Sequence, residues 1–392
     1  MRILMLLDRQ YPPDIRVENE AISLMNGGHV VHILSYRFSS LKSYEIIKGI
    51  HVHRFRIPEQ VAKKSLGLIL VLPFFRIIWG IMIKRLLRKY KFHAVHIHDL
   101  PLCIFTRMLK RKGYLVIADM HENYPHMVAE QPYMKRFPGK FILPERKWFK
   151  KEKRWLTRAD KVVVVAPEMK ERLLKEQNIS KGIIVVPNTY SLSSFQADQV
   201  SIHDLASRFA NEFVVSYIGG FDASRGIHLL LEATSRLKNQ IPHLRLLLVG
   251  DGIYMNDLRE HSQSLGISEI VSFEGWQPSS HVRSYINCSS VCVIPHLRSA
   301  QTDNSSPNKL FQYMYSGKPV ITSNCRSLEK IVRETRCGLF FKDRDSDDLA
   351  DKILFIYNNP ELAGQMGRKG NEAVVKKYNW DLTVLPLFET YR

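Results

Sequence analysis

Short runs of apolar, largely β-branched residues alternate along the chain with longer stretches whose apolar positions recur every three or four residues. RILMLLD (2–8), HVVHILSY (29–36), IHVHRF (50–55), AVHIHD (94–99), YLVIAD (114–119), KVVVVA (161–166) and IIVVPN (183–188) form a first series. A strand covered by helices on both faces is apolar at nearly every position, so these runs predict parallel strands in an α/β sheet. The stretch from Tyr190 to Ala210 then turns polar, as a linker would. A second series follows: FVVSYIGG, RLLLVGDG, IVSFEG, SVCVIP, PVITSN and CGLFF. Two doubly wound α/β domains are therefore predicted, over residues 1–192 and 205–375. Residues 376–392 carry Tyr378, Trp380, Leu382, Leu385, Leu387 and Phe388, an apolar face that needs a partner, and predict a terminal helix packed back on the first domain.

Charge changes this picture more than composition does. Of the 392 residues, 57 are Lys or Arg and 38 are Asp or Glu, and the net charge of +19 implies an anionic partner. Two segments concentrate it. Lys63 to Lys91 surrounds LGLILVLPFFRIIWGIMI with basic side chains, and Tyr133 to Lys161 mixes Lys147, Lys150, Lys151 and Arg154 with Trp148, Phe149 and Trp155. Basic, aromatic helices suit an anionic bilayer surface, although packed helices with solvated basic faces have the same composition. The apolar stretch Leu66 to Ile83 is broken by Pro73 and Arg76 and is too short for a comfortable span, so it is expected to lie on a membrane and not to cross it. No nucleic-acid-binding module is visible, and nucleic acid is not an expected partner. The five cysteines lack C-x-x-C spacing, and MRILMLLDRQYPPD reads as a first strand and not as a signal peptide, so a cytoplasmic location is expected.

The densest chemistry lies in DNSSPNKLFQYMYSGKPVIT, residues 303–322. Ser305 or Ser306 suits a helix cap, Pro307 suits a first turn and Gly317 a left-handed end, which predicts a helix over 307–316. Its opening amides, Asn308 to Leu310, would face a point where the helix dipole favours phosphate, and Lys309 adds a full charge there. Asn308 and Gln312 share a helix face, with Gln312 one turn deeper, at the depth of a ribose hydroxyl. An ordinary capped helix with a solvated lysine fits the same residues. Gly219 and Gly220 close strand FVVSYI ahead of Asp222 and Ser224, and Arg225 beyond them offers a donor fork to a diphosphate. Gly250, Gly275 and Trp276 close the next two strands on the same edge, where open α/β sheets bind ligands.

In the first series, His96, His98 and Asp99 close one strand, while Asp119, His121 and Glu122 close the next. His93, His96, His98 and His121 match no zinc-ligand spacing, so no metal site is predicted. Local hydrogen bonds account for most of these histidines; His121 is the one singled out to orient a hydroxyl at neutral pH. The acidic string Asp343 to Asp347 precedes a helical pattern and reads as an N-cap.

Together, PPDIRVENEAISL, HIHDLPL, DMHENYP, RADKVVVVA, YIGGFDASRG, LLLVGDG, FEGW and SPNKLFQYMYSGKPVI resemble the family 4 glycosyltransferases of the GT-B fold over nearly the whole chain. The resemblance implies two Rossmann-like domains facing a cleft, and retaining transfer of a sugar from a nucleotide-sugar with no metal or other cofactor. It places Arg225 and Lys309 on the donor diphosphate and Gly275 and Trp276 beside the nucleobase. Gly219, Gly220, Gly250, Asn308, Leu310 and Gln312 would surround the donor. His121 would stand near the reacting centre, with Arg16, His98, Asp99 and Glu122 on the acceptor side. The family's paired glutamates fall at Asn304 and Gln312, so both acids are replaced by amides, and Asp303 is the neighbouring acid available for the first role. The expected activity is hexosyl transfer to a lipid-linked saccharide in polysaccharide biosynthesis (O-antigen, capsule or exopolysaccharide), at the inner face of the cell membrane. A small soluble acceptor, or nucleotide-sugar binding without catalysis, are the alternatives.

Overall fold

The computed structural model describes residues 1–38, 40–57, 73–130, 144–180, 182–192, 195, 202–305 and 307–391. The chain divides into two compact units, Met1–Pro187 together with Val384–Arg392, and Asn188–Thr383.

The first unit is built on eight strands: β1 (Arg2–Gln10), β2 (Val30–Arg37), β3 (Tyr44–Ile47), β4 (Ile50–Arg56), β5 (Ala94–His98), β6 (Leu115–Met120), β7 (Lys161–Val164) and β8 (Ile183–Val185). Their order is β3-β4-β2-β1-β5-β6-β7-β8. Central β1 pairs in parallel with β2 on one side and β5 on the other, and Ile3 to Leu7 are fully buried, as a strand covered on both faces requires. Among the described strands, the one antiparallel pair is β3 with β4. The IHVHRF run predicts β4 alone; β3 precedes it through a two-residue turn at Lys48 and Gly49, both at positive φ (49° and 85°). That turn chemistry builds hairpins, and the four-residue partner is too short and too exposed to register as an apolar run.

Helices close both faces. Trp79 of the Pro73–Lys89 helix is fully buried and donates its indole N–H to the Tyr36 hydroxyl at 3.0 Å. Trp148 of the Glu145–Leu156 helix is likewise buried, with its ring 5.1 Å from that of Tyr124. Two of the three aromatic residues noted in the second basic segment, Trp148 and Trp155, are thus core residues. Residues 66–72 of the apolar stretch and 133–143 of the second basic segment lie outside the described residues. Among the described residues, no helix is long and apolar enough to cross a membrane.

The second unit holds β9 (Phe213–Ile218), β10 (Leu244–Val249), β11 (Val271–Gly275), β12 (Val291–Ile294), β13 (Val320–Ser323) and β14 (Gly338–Phe341). They are parallel, in the order β11-β10-β9-β12-β13-β14. The winding reverses between β9 and β12, and the chain leaves both strands at the same edge, which is where a doubly wound sheet opens a crevice. Glycines shape that edge. Gly219 N–H donates to the Val249 carbonyl and Gly250 N–H to the Gly275 carbonyl, each at 2.8 Å, and a Cβ at Gly250 would collide with the Gly219 carbonyl.

The helix predicted over 307–316 spans Asn308–Tyr315. Its N-cap is Pro307, with no side-chain cap bond. Ser305, two residues before the cap, directs its hydroxyl at the Thr302 carbonyl (3.3 Å), and Ser306 lies outside the described residues. Asp345 does cap the Ser346–Asn358 helix, accepting the Asp348 N–H at 3.0 Å. The polar stretch after Tyr190 belongs to the second unit, because Phe195, Leu205 and Phe209 are buried in its core; residues 193–194 and 196–201 lie outside the described residues. The chain end is two short helices, Trp380–Thr383 and Leu385–Phe388, followed by a Glu389–Tyr391 turn. Trp380 stays with the second unit, while Leu387 and Tyr391 are buried in the first.

Candidate active site

Each unit gathers its chemistry at the carboxyl ends of its central strands. In the second unit, Lys309 lies with Nζ 4.0 Å from the centroid of the Tyr217 ring, and a Cβ at Gly219 would collide with that amine, so the glycine makes room for it. Arg225 leaves the Ala223–Arg225 turn with Nε donating to Asp222 at 3.0 Å; the same carboxylate caps the turn through the Ser224 N–H at 3.0 Å. The guanidinium Nη1 of Arg225 stands 3.4 Å from His296 Nε2. His296 follows β12 and is buried. Burial first, then Lys309 and Arg225, hold its pKa well below the ordinary value, so the imidazole is neutral. Burial and Arg225 likewise depress Lys309, against a weaker opposing pull from Asp222. Two basic side chains and a neutral imidazole thus stand together, and an anion placed there would relieve the repulsion between Arg225 and Lys309.

Other residues named from the sequence fall around this centre. Asn308 opens the helix with its Oδ1 buried and lacking a hydrogen-bond partner, and Gln312 is half-buried one turn on. Leu310 is a core residue whose amide is already bonded to the Pro307 carbonyl at 3.1 Å. The Gly220 carbonyl accepts from the Tyr217 hydroxyl at 2.9 Å. Gly275 ends β11 at φ 65°, and Trp276 beyond it is 73% exposed. Asp303 and Asn304 are engaged elsewhere. The Asp303 carboxylate receives Arg298 Nε at 3.0 Å and the Arg326 N–H at 2.8 Å, where the next helix begins, and Asn304 Nδ2 donates to the Ala300 carbonyl at 2.8 Å.

The first unit gathers a denser cluster at β1, β5 and β6. His121 Nε2 lies 2.8 Å from Asp119 Oδ2 and 3.1 Å from His98 Nδ1, and the His121 N–H reaches Asp99 Oδ1 at 3.3 Å. Burial opposes protonation of His121, but Asp119 and Asp99 outweigh it and raise the pKa to about 9, so the ring is an imidazolium at neutral pH. Asp119 stays ionised against its own burial because Arg16 and His121 face it. Asp99 holds φ 64° and ψ 158°, a region that only glycine occupies easily, at a cost of about 1–3 kcal/mol. Arg9 Nη2 clamps its carboxylate at 2.7 Å. Glu122 accepts the Tyr124 N–H through its backbone carbonyl at 2.9 Å.

Sequence reasoning missed Arg9 and three further members. Glu20 is fully buried, 2.9 Å from Arg16, and burial together with Asp119 raises its pKa well above the ordinary value, which favours its protonated form. Its four-residue spacing from Arg16 on the Ile15–Asn26 helix was the available signal. Tyr391 places its hydroxyl 2.5 Å from His96 Nδ1 across 295 positions, and no local pattern reveals that. Asp8, at the end of β1, is raised to about 6 by burial. Glu20, His96, His98 and Asp119 also bring ligand-type atoms within 4.8 Å of one another. Arg16, however, already bonds Glu20 and Asp119 (2.9 and 3.2 Å), so the cluster supplies its own cation. His93 lies apart, accepting the Arg2 N–H at 2.9 Å.

Two family models match the chain: Glycosyltransferase Family 4 over residues 15–194, and Glycosyl transferases group 1 over residues 202–373. The GDP-mannose-dependent alpha-(1-6)-phosphatidylinositol monomannoside mannosyltransferase of Mycobacterium tuberculosis is 22% identical over 237 residues, 59% of this chain and 62% of that one. The lipopolysaccharide core biosynthesis glycosyltransferase LpsE of Rhizobium meliloti is 26% identical over 166 residues, 42% of this chain and 46% of that one. The chain spans less than two thirds of the length of the curated relatives it matches. Among solved structures, sucrose-phosphate synthase from Thermosynechococcus elongatus superposes with a TM-score of 0.79 at 20% identity, covering 100% of this chain and 98% of that one.

Proposed function

The chain belongs to glycosyltransferase family 4, with the GT-B fold, and from that premise we propose that it transfers a hexosyl group from a nucleotide-sugar, with retention of anomeric configuration and without a metal ion. The observation that carries the donor half is Lys309 beside Arg225: two basic side chains at a doubly wound switch point, one of them depressed by burial and by the other. A donor diphosphate there favours the lysine's charged form and is held by charge-assisted bonds, while the opening amides of the Asn308–Tyr315 helix add their dipole. Charge that develops on the departing diphosphate is stabilised by the same groups, which supplies the electrostatic part of catalysis. The Asn308 amide and Gln312 serve donor hydroxyls. Asp303, pinned by Arg298 and Arg326, supports the chain and leaves the donor to the amides.

In the first unit His121, kept as an imidazolium by Asp119 and Asp99, donates a hydrogen bond to the donor sugar or the acceptor. Arg16, His98 and Asp99 fix its environment. The acceptor in this reading is a lipid-linked saccharide of a surface polysaccharide, met at the inner face of the membrane. The names of two relatives, one acting on a phosphatidylinositol mannoside and one in lipopolysaccharide core biosynthesis, support that class. Titration with UDP, GDP and their sugar conjugates followed by calorimetry tests the donor site, and the product's anomeric proton coupling tests retention. Transfer is expected to persist in excess chelator; loss that magnesium or manganese restores would refute the metal-free reading.

A further inference from the structure

We propose that a groove on the first unit is the surface by which this protein docks on the phosphate headgroups of an anionic lipid bilayer. The groove, about 1380 Å³ in volume, runs between the Pro73–Lys89, Thr106–Arg111 and Glu145–Leu156 helices. Among the described residues, nine Lys or Arg side chains line it and no Asp or Glu does. Among the described residues, none of the nine joins a salt bridge. Nearby acids are already engaged: Asp160 by Lys110 at 2.6 Å, Glu152 by Arg172 at 2.7 Å, and Glu145 by His126 at 2.7 Å. Arg107 shows the consequence, since Arg111, Arg158 and Arg154 crowd it and lower its pKa. Like charges held together without counter-charge favour an anionic layer outside the protein.

Charge alone would suit any polyanion. Ile77 and Ile81, each 58% exposed, line the same groove as the cations. A bilayer offers phosphates with acyl chains beneath them and so uses both kinds of side chain, whereas a nucleic acid would leave the isoleucines in water. Helix geometry also divides the basic residues of one helix. Lys151 and Arg154 of Glu145–Leu156 line the groove, while Lys147 and Lys150 do not. The groove further recruits Arg107 and Arg111 of Thr106–Arg111, which lie outside both basic segments of the sequence.

The inference deepens the lipid-acceptor reading of the proposed function, yet vesicle binding is measured without turnover, and donor titration on the second unit reports the catalytic reading separately. Co-sedimentation with phosphatidylglycerol vesicles in low salt is the measurement, with phosphatidylcholine vesicles as the neutral reference. Arg154→Glu with Arg158→Glu is compared with Lys147→Glu with Lys150→Glu, two pairs with the same change in net charge. The groove pair should lower partitioning about tenfold or more and the off-groove pair much less, given about 1 kcal/mol for each basic residue at the surface. About 1 M salt should release the wild type, since charge then reaches only about 3 Å. Ile77→Ser with Ile81→Ser, which leaves every charge in place, should also weaken binding; unfolding midpoints confirm that each variant folds. Equal loss in the two charge pairs, no binding of the wild type, or unchanged binding of the isoleucine variant would each overturn the proposal. Tighter binding to a single-stranded RNA than to the vesicles would overturn it in favour of a nucleic-acid surface.

Discussion

The two strand-edge clusters use similar residue types and differ in how their charge is closed. In the first unit Arg16 and the His121 imidazolium meet Asp119 and Asp99, with Glu20 beside Arg16 and its protonated form favoured by burial. In the second, the carboxylate described beside Arg225, Lys309 and the neutral His296 is Asp222, which is already shared with the Ser224 amide and hydroxyl. A self-compensated buried network holds side chains in fixed geometry, while a lysine depressed by burial and by a neighbouring cation is relieved when an anion arrives. The difference suits the first cluster to positioning and the second to ligand capture, the roles proposed for them above.

Opening the closed cluster should cost the most. Asp119→Asn removes the carboxylate that faces Arg16 and His121 and leaves both cations buried without their main partner; a loss of about 3–5 kcal/mol is expected in denaturant unfolding. A loss below about 1 kcal/mol would mean that the network is not closed in the way described.

Opening the second cluster should do the reverse. Lys309→Met removes one of two repelling cations, so the unfolding midpoint without ligand should stay level or rise, while nucleoside diphosphate affinity falls by about 1.5–3 kcal/mol by calorimetry. Arg225→Ala should lose a similar affinity. Unchanged affinity in both variants would remove the donor site from this edge.

The smallest effect sharpens the comparison through pH. The raised pKa of His121 means that the folded state keeps a proton the unfolded chain releases, so its contribution to stability is complete below about 6.5 and is lost as pH rises through about 9. Transfer activity should fall over the same upper range, and His121→Gln should lower activity and flatten that limb. A wild-type profile level through about pH 10 would show that the imidazolium is not the working form.

Much of the fold was legible because a doubly covered strand must be apolar along its length. The thirteen runs named at the outset all lie on observed strands, and only β3, short and exposed on a hairpin, escaped. Arg225 and Lys309 stood out in the sequence because glycine turns and helix starts carry local signatures, and the structure brings the two together. Their mutual repulsion was not legible, since they lie 84 positions apart in the sequence and only the order β9 beside β12 brings their strand ends together.

Thus the sequence by itself determined the two parallel sheets, the strand-end location of the chemistry and the excess of positive charge, because each follows from local periodicity, turn residues or a sum. Tertiary structure alone decided which charges are cancelled. Glu20 reaches Arg16 within one helix, but Asp119 reaches them only through the sheet, and Tyr391 reaches His96 only because the chain end returns to the first unit. The same holds for the basic groove, where Lys147 and Arg154 look alike in the sequence and differ only in the direction their helix gives them. Pair energies depend on distance and burial, and neither is a property of sequence spacing beyond a turn or two of helix.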